Sequence, residues 1–150
     1  MEEFYNTLEN AYDSLPNNDI KLVLVDFNAK IGQEQMFIGT IDKYSMHRET
    51  SDNGLRLIDF ATSKGLIISS TCFMHKDIHK PTWISPDGET RNQIDHILIE
   101  KRHATCILDV RSMRGTSCGS DHLLVKPHFT DQIRNKQRFI PSLLDLILIK

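Results

Sequence analysis

A short apolar segment, Leu22-Val23-Leu24-Val25, sets the architecture that this chain can adopt. Turn-forming residues precede it at positions 16–19 and Gly32 follows it, so we predict a short strand that is buried on both faces of a sheet. Asp26 and Asn28 leave this strand on the same side, because side chains alternate along an extended chain. Ligands bind at such strand ends in open α/β sheets. The segment therefore predicts a polar site at this sheet edge, although an Asp-x-Asn sequence can also form an ordinary turn.

Length and composition indicate a single globular domain. The chain has 150 residues, of which 39% are hydrophobic and 25% are charged, as in ordinary globular proteins. The acidic N-terminus lacks the apolar core of a secretory signal, and no apolar run approaches membrane-spanning length. Three cysteines at irregular spacing fit a reducing compartment rather than a disulfide framework. We therefore predict an intracellular protein, nuclear or cytoplasmic, with no membrane partner.

The charge balance does not by itself indicate a nucleic-acid-binding protein. The net charge is -2, whereas nucleic-acid-binding domains usually carry a clear basic excess. We interpret the basic clusters at 101–103, 111–114 and 134–138 as solvated faces, and only Arg91 remains a candidate for phosphate contact. A phosphate site beside metal-binding carboxylates can still be close to neutral overall.

Predicted helices and strands alternate along the rest of the chain. Residues 2–15 carry an amphipathic apolar stripe, and a second helix begins at the cap residues 51–53 and ends at Gly65. Residues 31–50 lie between the first strand and the second helix, and we predict that they form a long loop. Further strands are predicted at residues 66–71, 82–84, 93–99, 105–110 and 123–125. The second and third of these are predicted to form a hairpin. Pro127 indicates an edge strand or a break at the end of the last one.

The end of the chain differs in character. Residues 131–138 are polar, and residues 143–149 are apolar apart from one charge. Such a segment forms core, an interface or an aggregation-prone surface. We therefore predict a domain over residues 1–130 and a divergent tail over residues 131–150, with a protein partner as one use of that tail.

Two further motifs place an acid beside an imidazole at strand boundaries, Asn92-Gln93-Ile94-Asp95-His96 and Ser120-Asp121-His122. Together with Val25-Asp26-Phe27-Asn28-Ala29, they resemble in order and spacing the motifs of the endonuclease/exonuclease/phosphatase superfamily. That superfamily contains deoxyribonuclease I, AP endonucleases and retrotransposon endonucleases. The intervening segments 53–60 and 82–88 resemble a narrower group, the endonuclease domains of non-LTR retrotransposons and the craniofacial development protein 2-like proteins.

The resemblance implies an α/β fold, a deoxyribonuclease I-like four-layer sandwich that here lacks its N-terminal half. It also implies a divalent-metal-dependent endonuclease that hydrolyses DNA phosphodiester bonds with Mg²⁺ or Mn²⁺. Charge that develops on phosphorus during such a reaction needs a base, a cation and hydrogen-bond donors. DNA is then the expected partner.

The resemblance also implies a role for each site residue. Asp26 would activate the attacking water or bind the metal, and Asn28 would help to hold the metal or the phosphate. His122 would polarise a phosphoryl oxygen, while Asp95 would fix the tautomer of that imidazole. Asp121 would belong to the magnesium shell.

Structural alternatives remain open for two of these residues. Asp95 could instead pair with Arg91 or an exposed lysine, and Ser120 with Asp121 could cap a turn.

The sequence departs from the family in ways that put activity in doubt. The family's first half contributes an Asn and a metal-binding Glu from early strands, whereas this chain begins one helix before the Asp26 strand. Val25 replaces a Gly of the family motif, where added bulk could crowd the phosphate. We therefore expect impaired activity and, if β-sheet cover is missing, marginal solubility or dependence on a partner. The alternatives are an inactive transposon-derived remnant that binds protein and, within the superfamily, a phosphomonoesterase.

One further pattern, Cys72-x-x-His75-x-x-x-His79, has the ligand types of a zinc site. Zinc sites usually have four ligands, and no fourth is evident here. We therefore interpret these residues as part of a basic loop.

Overall fold

The computed structural model describes residues 2–114 and 120–130, and the backbone of residues 145–148. Two α-helices span Glu2–Ser14 (α1) and Asp52–Ser63 (α2). The strands, in chain order, are β1 Lys21–Asp26, β2 Leu66–Ile68, β3 Trp83–Ile84, β4 Arg91–Asn92, β5 Asp95–Glu100, β6 Ile107–Met113, β7 Leu124–Phe129 and β8 Asp145–Leu148.

The main sheet has the strand order β2-β5-β1-β8. β1 and β2 both run antiparallel to β5, and β8 runs parallel to β1. β1 is therefore an interior strand, as its apolar sequence predicts. Val23 and Val25 enter one core cluster while Leu22 enters the other, so both faces of β1 are buried. Val25, which replaces the family's Gly, is a core residue and 7% exposed.

The larger core lies between the sheet and the two helices. α1 buries Leu8 and Tyr12, in agreement with its predicted apolar stripe. α2 begins where the sequence predicts, because the Ser51 hydroxyl accepts the Gly54 N–H at 3.2 Å. Gly65 follows its end with φ +65°, a backbone conformation that glycine adopts without a steric penalty.

A second, two-stranded sheet of β6 and β7 covers the other face. Ile97 and Ile99 of β5 pack there with Ile107 and Val110 of β6. The sequence raised the prospect that β1 lacks a covering sheet. The structure differs, since this hairpin supplies the cover.

Several predicted strand boundaries need correction. Residues 82–84 do begin a hairpin, but their partner is β4, and the following strand β5 joins the main sheet instead. The predicted strand 66–71 ends at Ile68, because Ser69–Thr71 form a 3₁₀ turn. The predicted strand 105–110 begins two residues later, because 101–106 form a 3₁₀ helix. Pro127 does not break β7 and pairs with Val110 in this two-stranded sheet, where each strand has a free edge that tolerates proline.

The predicted loop at 31–50 is confirmed, apart from a single 3₁₀ turn at Gln35–Phe37. Most of the predicted tail, residues 131–144 and 149–150, lies outside the described residues, as does Cys118. Within the described part of the chain, the helices are too short or too polar to cross a membrane.

Candidate active site

Two carboxylates meet where β1 and β5 end. Asp26 and Asp95 are direct partners in the antiparallel ladder, at the last registered pair. Asp26 is exposed and Asp95 is half-buried. Side chains that face each other across an antiparallel pair have their Cβ atoms about 5 Å apart. The sheet register therefore brings together two acids that are 69 positions apart in the sequence.

His122 completes this cluster from the segment before β7. Its Nδ1 lies 3.1 and 3.2 Å from the two carboxylate oxygens of Asp95, and its Nε2 lies 3.7 Å from Asp26 Oδ2. Nδ1 therefore carries the ring proton, and its N–H donates a hydrogen bond to the Asp95 carboxylate. This hydrogen bond fixes the orientation of the ring. Ligand atoms of Asp26, Asp95 and His122 all lie within 4.8 Å of one another. The Asp95–Arg91 alternative is not seen, since Asp95 pairs with His122 instead.

Thr82 holds the backbone at Asp95 through its hydroxyl group. The Thr82 hydroxyl oxygen accepts the backbone N–H groups of Ile94 and Asp95 at 2.9 and 3.0 Å. Burial raises the pKa of Asp95, while a hydrogen bond from Thr82 and the nearby His122 act to lower it. Burial has the largest effect, so this acid is more easily protonated than an exposed aspartate.

Asn28 lies beside the cluster in an unusual backbone conformation. Its φ is +48°, in the left-handed region that Asn tolerates better than most residues. The Asn28 N–H donates to Asp26 Oδ1 at 2.9 Å, and Asn53 Nδ2 donates to the Asn28 carbonyl at 3.3 Å. The Asp-x-Asn segment thus forms the turn that its composition favours, and this turn orients the Asp26 carboxylate at the same time. Asp26 and Asn28 are both exposed to solvent.

Asp121 lies next to the cluster but outside the three-residue group. Its Oδ2 accepts the indole N–H of Trp83 at 2.7 Å, and its Oδ1 lies 3.4 Å from the Ser120 hydroxyl. The Ser120 hydroxyl oxygen also accepts the His122 N–H at 3.1 Å, as the turn alternative predicts. The Trp83 hydrogen bond is the main reason that the pKa of Asp121 falls below its usual value.

Sequence reasoning missed His96, which supports the site from the core. His96 is 1% exposed, accepts the Ser70 hydroxyl at Nδ1 (2.7 Å) and donates from Nε2 to the Ala29 carbonyl (2.8 Å). Burial lowers its pKa to about 4, so the ring is neutral. His96 therefore ties β5 to the turn that carries Asp26 and Asn28. The sequence signal that could have identified His96 is its position directly after Asp95 in the motif.

The residues Cys72, His75 and His79 are not arranged as a zinc site. His75 Nε2 lies 2.6 Å from Asp109 Oδ1, and burial raises the pKa of the Cys72 thiol to about 11. These residues do not form a metal-binding group. In the described part of the chain, one group of three or more His, Cys, Asp or Glu side chains is close enough to share a metal ion, and it consists of Asp26, Asp95 and His122.

Comparison with solved structures identifies the fold. The 3′-5′ exonuclease NExo from Neisseria meningitidis matches with a TM-score of 0.57 and 23% sequence identity, over 85% of this chain and 52% of that chain. The structure of the 3′ phosphatase NExo from Neisseria bound to a product DNA hairpin matches with a TM-score of 0.57 and 22% identity, over 86% of this chain and 52% of that chain. No family model matches the sequence. The chain therefore has a deoxyribonuclease I-like α/β fold, and its three motifs resemble, in the same order, those of the endonuclease/exonuclease/phosphatase superfamily.

The sequence is also similar to craniofacial development protein 2. The identity is 33% over 139 residues to the protein from Tragulus javanicus and 32% over 139 residues to the protein from Bos taurus. These matches cover 93% of this chain but only 23% and 22% of the two relatives. The predicted α/β deoxyribonuclease I-like fold and the narrower resemblance are thereby confirmed, and both findings support the resemblance to the superfamily.

Proposed function

We propose that this chain is part of a divalent-metal-dependent endonuclease domain that hydrolyses DNA phosphodiester bonds. The observation that carries the proposal is the convergence of Asp26, Asp95 and His122 on one exposed strand end. The solved relatives with this fold are described as a 3′-5′ exonuclease and as a 3′ phosphatase bound to product DNA. This similarity favours nucleic-acid processing over other uses of an acid-histidine cluster.

The chemistry of the cluster fits Mg²⁺ or Mn²⁺. Asp26 and Asp95 offer carboxylate oxygens, the ligands that hard cations prefer, and Asp26 is exposed to solvent. Asp121 would join them as an outer carboxylate beside the same strand end. A bound cation would neutralise charge on the phosphoryl oxygens during the reaction.

The protein's own residues would carry the proton transfers. In phosphodiester hydrolysis a water oxygen forms a bond to phosphorus, and the bond from phosphorus to one ester oxygen breaks. We assign Asp26 as acceptor of the water proton, because it is the exposed acid of the pair. His122, held at Nδ1 by Asp95, would in its protonated form donate Nε2–H to a phosphoryl oxygen, and Asn28 would supply an exposed amide to the same phosphate.

We expect the activity of this chain by itself to be weak. The described cluster contributes two carboxylates, and the resemblance implies a further glutamate that no residue of this chain can be matched to. Fewer fixed ligands place a cation less accurately, and small misplacements of reacting groups reduce rates steeply.

The test is nicking of supercoiled plasmid DNA with Mg²⁺ or Mn²⁺. We expect slow nicking by the unaltered protein and loss of at least about 90% of it in Asp121→Ala and His122→Ala. Asp59→Ala, on the exposed face of α2, and His103→Ala, beyond the far end of β5, are the matched controls. No nicking by the unaltered protein, or equal nicking by all four variants, contradicts the proposal.

A phosphomonoesterase is a second candidate, favoured by the relative described as a 3′ phosphatase. A 3′-phosphorylated oligonucleotide distinguishes the two activities. Release of inorganic phosphate without plasmid nicking favours the phosphatase, and nicking favours the endonuclease.

An inactive remnant that binds protein is the third candidate, favoured by the apolar composition of residues 143–149. Capture of a defined partner by the full chain, but not by a chain without residues 140–150, supports this candidate. If the protein nicks DNA in a metal-dependent way and His122→Ala abolishes the nicking, the chain is not catalytically inactive and this candidate is contradicted.

A further inference from the structure

We propose that Trp83 is a positioning residue for Asp121, and this inference rests on the proposed nuclease function. The contact is direct, with the indole Nε1–H donating to Asp121 Oδ2 at 2.7 Å. A hydrogen bond to an ionised carboxylate is shorter and stronger than one between neutral groups. Trp83 itself need not touch DNA for this role.

The backbone of β3 holds the same segment. The Ile84 N–H donates to the Asp121 carbonyl at 3.0 Å, and the Leu123 N–H donates to the Thr82 carbonyl at 2.7 Å. Trp83 and His122 form the antiparallel bridge between these two bonds. The segment 121–123 is therefore fixed on β3 by its main chain, while the Asp121 side chain gains its own restraint from the indole.

The placement of Trp83 distinguishes this role from a packing role. Trp83 is half-buried and belongs to neither of the two core clusters. A residue chosen for packing alone would have no need of a nitrogen donor, and tryptophan provides one at the end of a rigid ring. Replacement by Phe should therefore change the position of Asp121 more than the stability of the fold.

Asp121 needs such a restraint because it is otherwise exposed. Among the described residues, its other side-chain hydrogen-bond partner is Ser120, at 3.4 Å, which is too long for a strong hydroxyl–carboxylate hydrogen bond. An exposed carboxylate without the indole would sample several rotamers. The indole occupies one oxygen and leaves the other oxygen for a cation or a phosphate-bound water.

The first arm of the test is spectroscopic and independent of activity. Trp83 is the only tryptophan of the chain, so its indole N–H gives one assignable signal in a ¹⁵N–¹H spectrum. We expect Asp121→Ala to move this signal and to increase its exchange with water, and we expect Asp59→Ala to leave it in place. A signal that is unchanged in Asp121→Ala overturns the proposal.

The second arm is kinetic. Trp83→Phe should lower kcat for plasmid nicking by about tenfold or more with KM for DNA within about twofold, while Ile84→Val, on the same strand, keeps both values. The double variant Trp83→Phe with Asp121→Ala should be no slower than Asp121→Ala alone, because the two residues act as one unit. A rise in KM alone, or an unchanged kcat in Trp83→Phe, overturns the proposal. If the unaltered protein does not nick DNA, the proposed function fails, and the indole signal still decides whether Trp83 restrains Asp121.

Discussion

His96 shows how a single buried residue can support a site that it does not enter. Its neutral ring bridges Ser70 and the carbonyl of Ala29, the residue directly after Asn28. A charged imidazolium could not accept the Ser70 hydroxyl proton, and it would also bear the cost of burial. Protonation of His96 should therefore loosen the turn that carries Asp26 and Asn28.

This predicts a specific pH dependence of stability. The pKa of His96 falls from 6.5 to about 4 in the folded protein. A depressed pKa gives stability that is complete above pH 6.5 and is lost as the pH falls from 6.5 toward 4, by roughly 3 kcal/mol in total. Urea unfolding at pH 7 and pH 4.5 should show a smaller loss in His96→Gln than in the unaltered protein. An equal loss in both proteins would contradict this role, and His103→Gln serves as the control for an imidazole outside the core.

Other groups titrate over part of the same range, which is why the comparison uses a variant. The pKa of Asp95 is raised, so its contribution has the opposite sign, present at low pH and lost as the pH rises through its folded pKa. The difference between the unaltered protein and His96→Gln isolates the imidazole.

At the level of elements, α2 packs its first turn against the loop that follows β1. Gly54 lies so close to the Lys30 carbonyl that a Cβ atom there would collide with backbone. The Asn53 side chain also donates to the Asn28 carbonyl from this turn. The start of α2 is therefore a support for the site as well as a helix end.

Gly54→Ala should accordingly displace the loop. We expect a loss of about 1–3 kcal/mol in the free energy of unfolding, despite the higher helix propensity of alanine, because the clash is with backbone. Thermal unfolding measures this loss, and Ser63→Ala near the other end of α2 is the control. A Gly54→Ala protein as stable as the unaltered one would contradict the close approach.

The elements differ in how far the sequence predicts them. β1 and α2 follow from an apolar run and from cap residues, signals that lie within each segment. β3 and β4 have two residues each, and the partners of β5 are set by strands far along the chain. The three motifs identified the site cluster, whereas the roles of Trp83 and His96 depend on contacts across 38 and 67 positions that periodicity does not reveal.

For the whole molecule, the edge of β1 that faces away from β5 depends on β8 for its strand pairing. The β8 backbone at 145–148 pairs with β1 in parallel and covers this edge. An uncovered interior-type strand presents unpaired N–H and C=O groups to other chains. Part of the predicted tail therefore belongs to the same sheet as the site.

Deletion of residues 140–150 should uncover β1. We expect concentration-dependent self-association, detected by sedimentation velocity between about 5 and 100 µM, with the full chain less associated at each concentration. Equal association of the two proteins would show that β8 does not protect this edge.

We propose that Asp26 and Asp95 hold a divalent cation beside His122, and titration with Mn²⁺ followed by NMR is the decisive measurement. We predict that substoichiometric Mn²⁺ broadens the ring signals of His122 and leaves those of His103 sharp, and that Asp26→Asn with Asp95→Asn removes this selectivity. Equal broadening of all histidine rings, or selective broadening at His75 and His79, would contradict a metal site at this strand end.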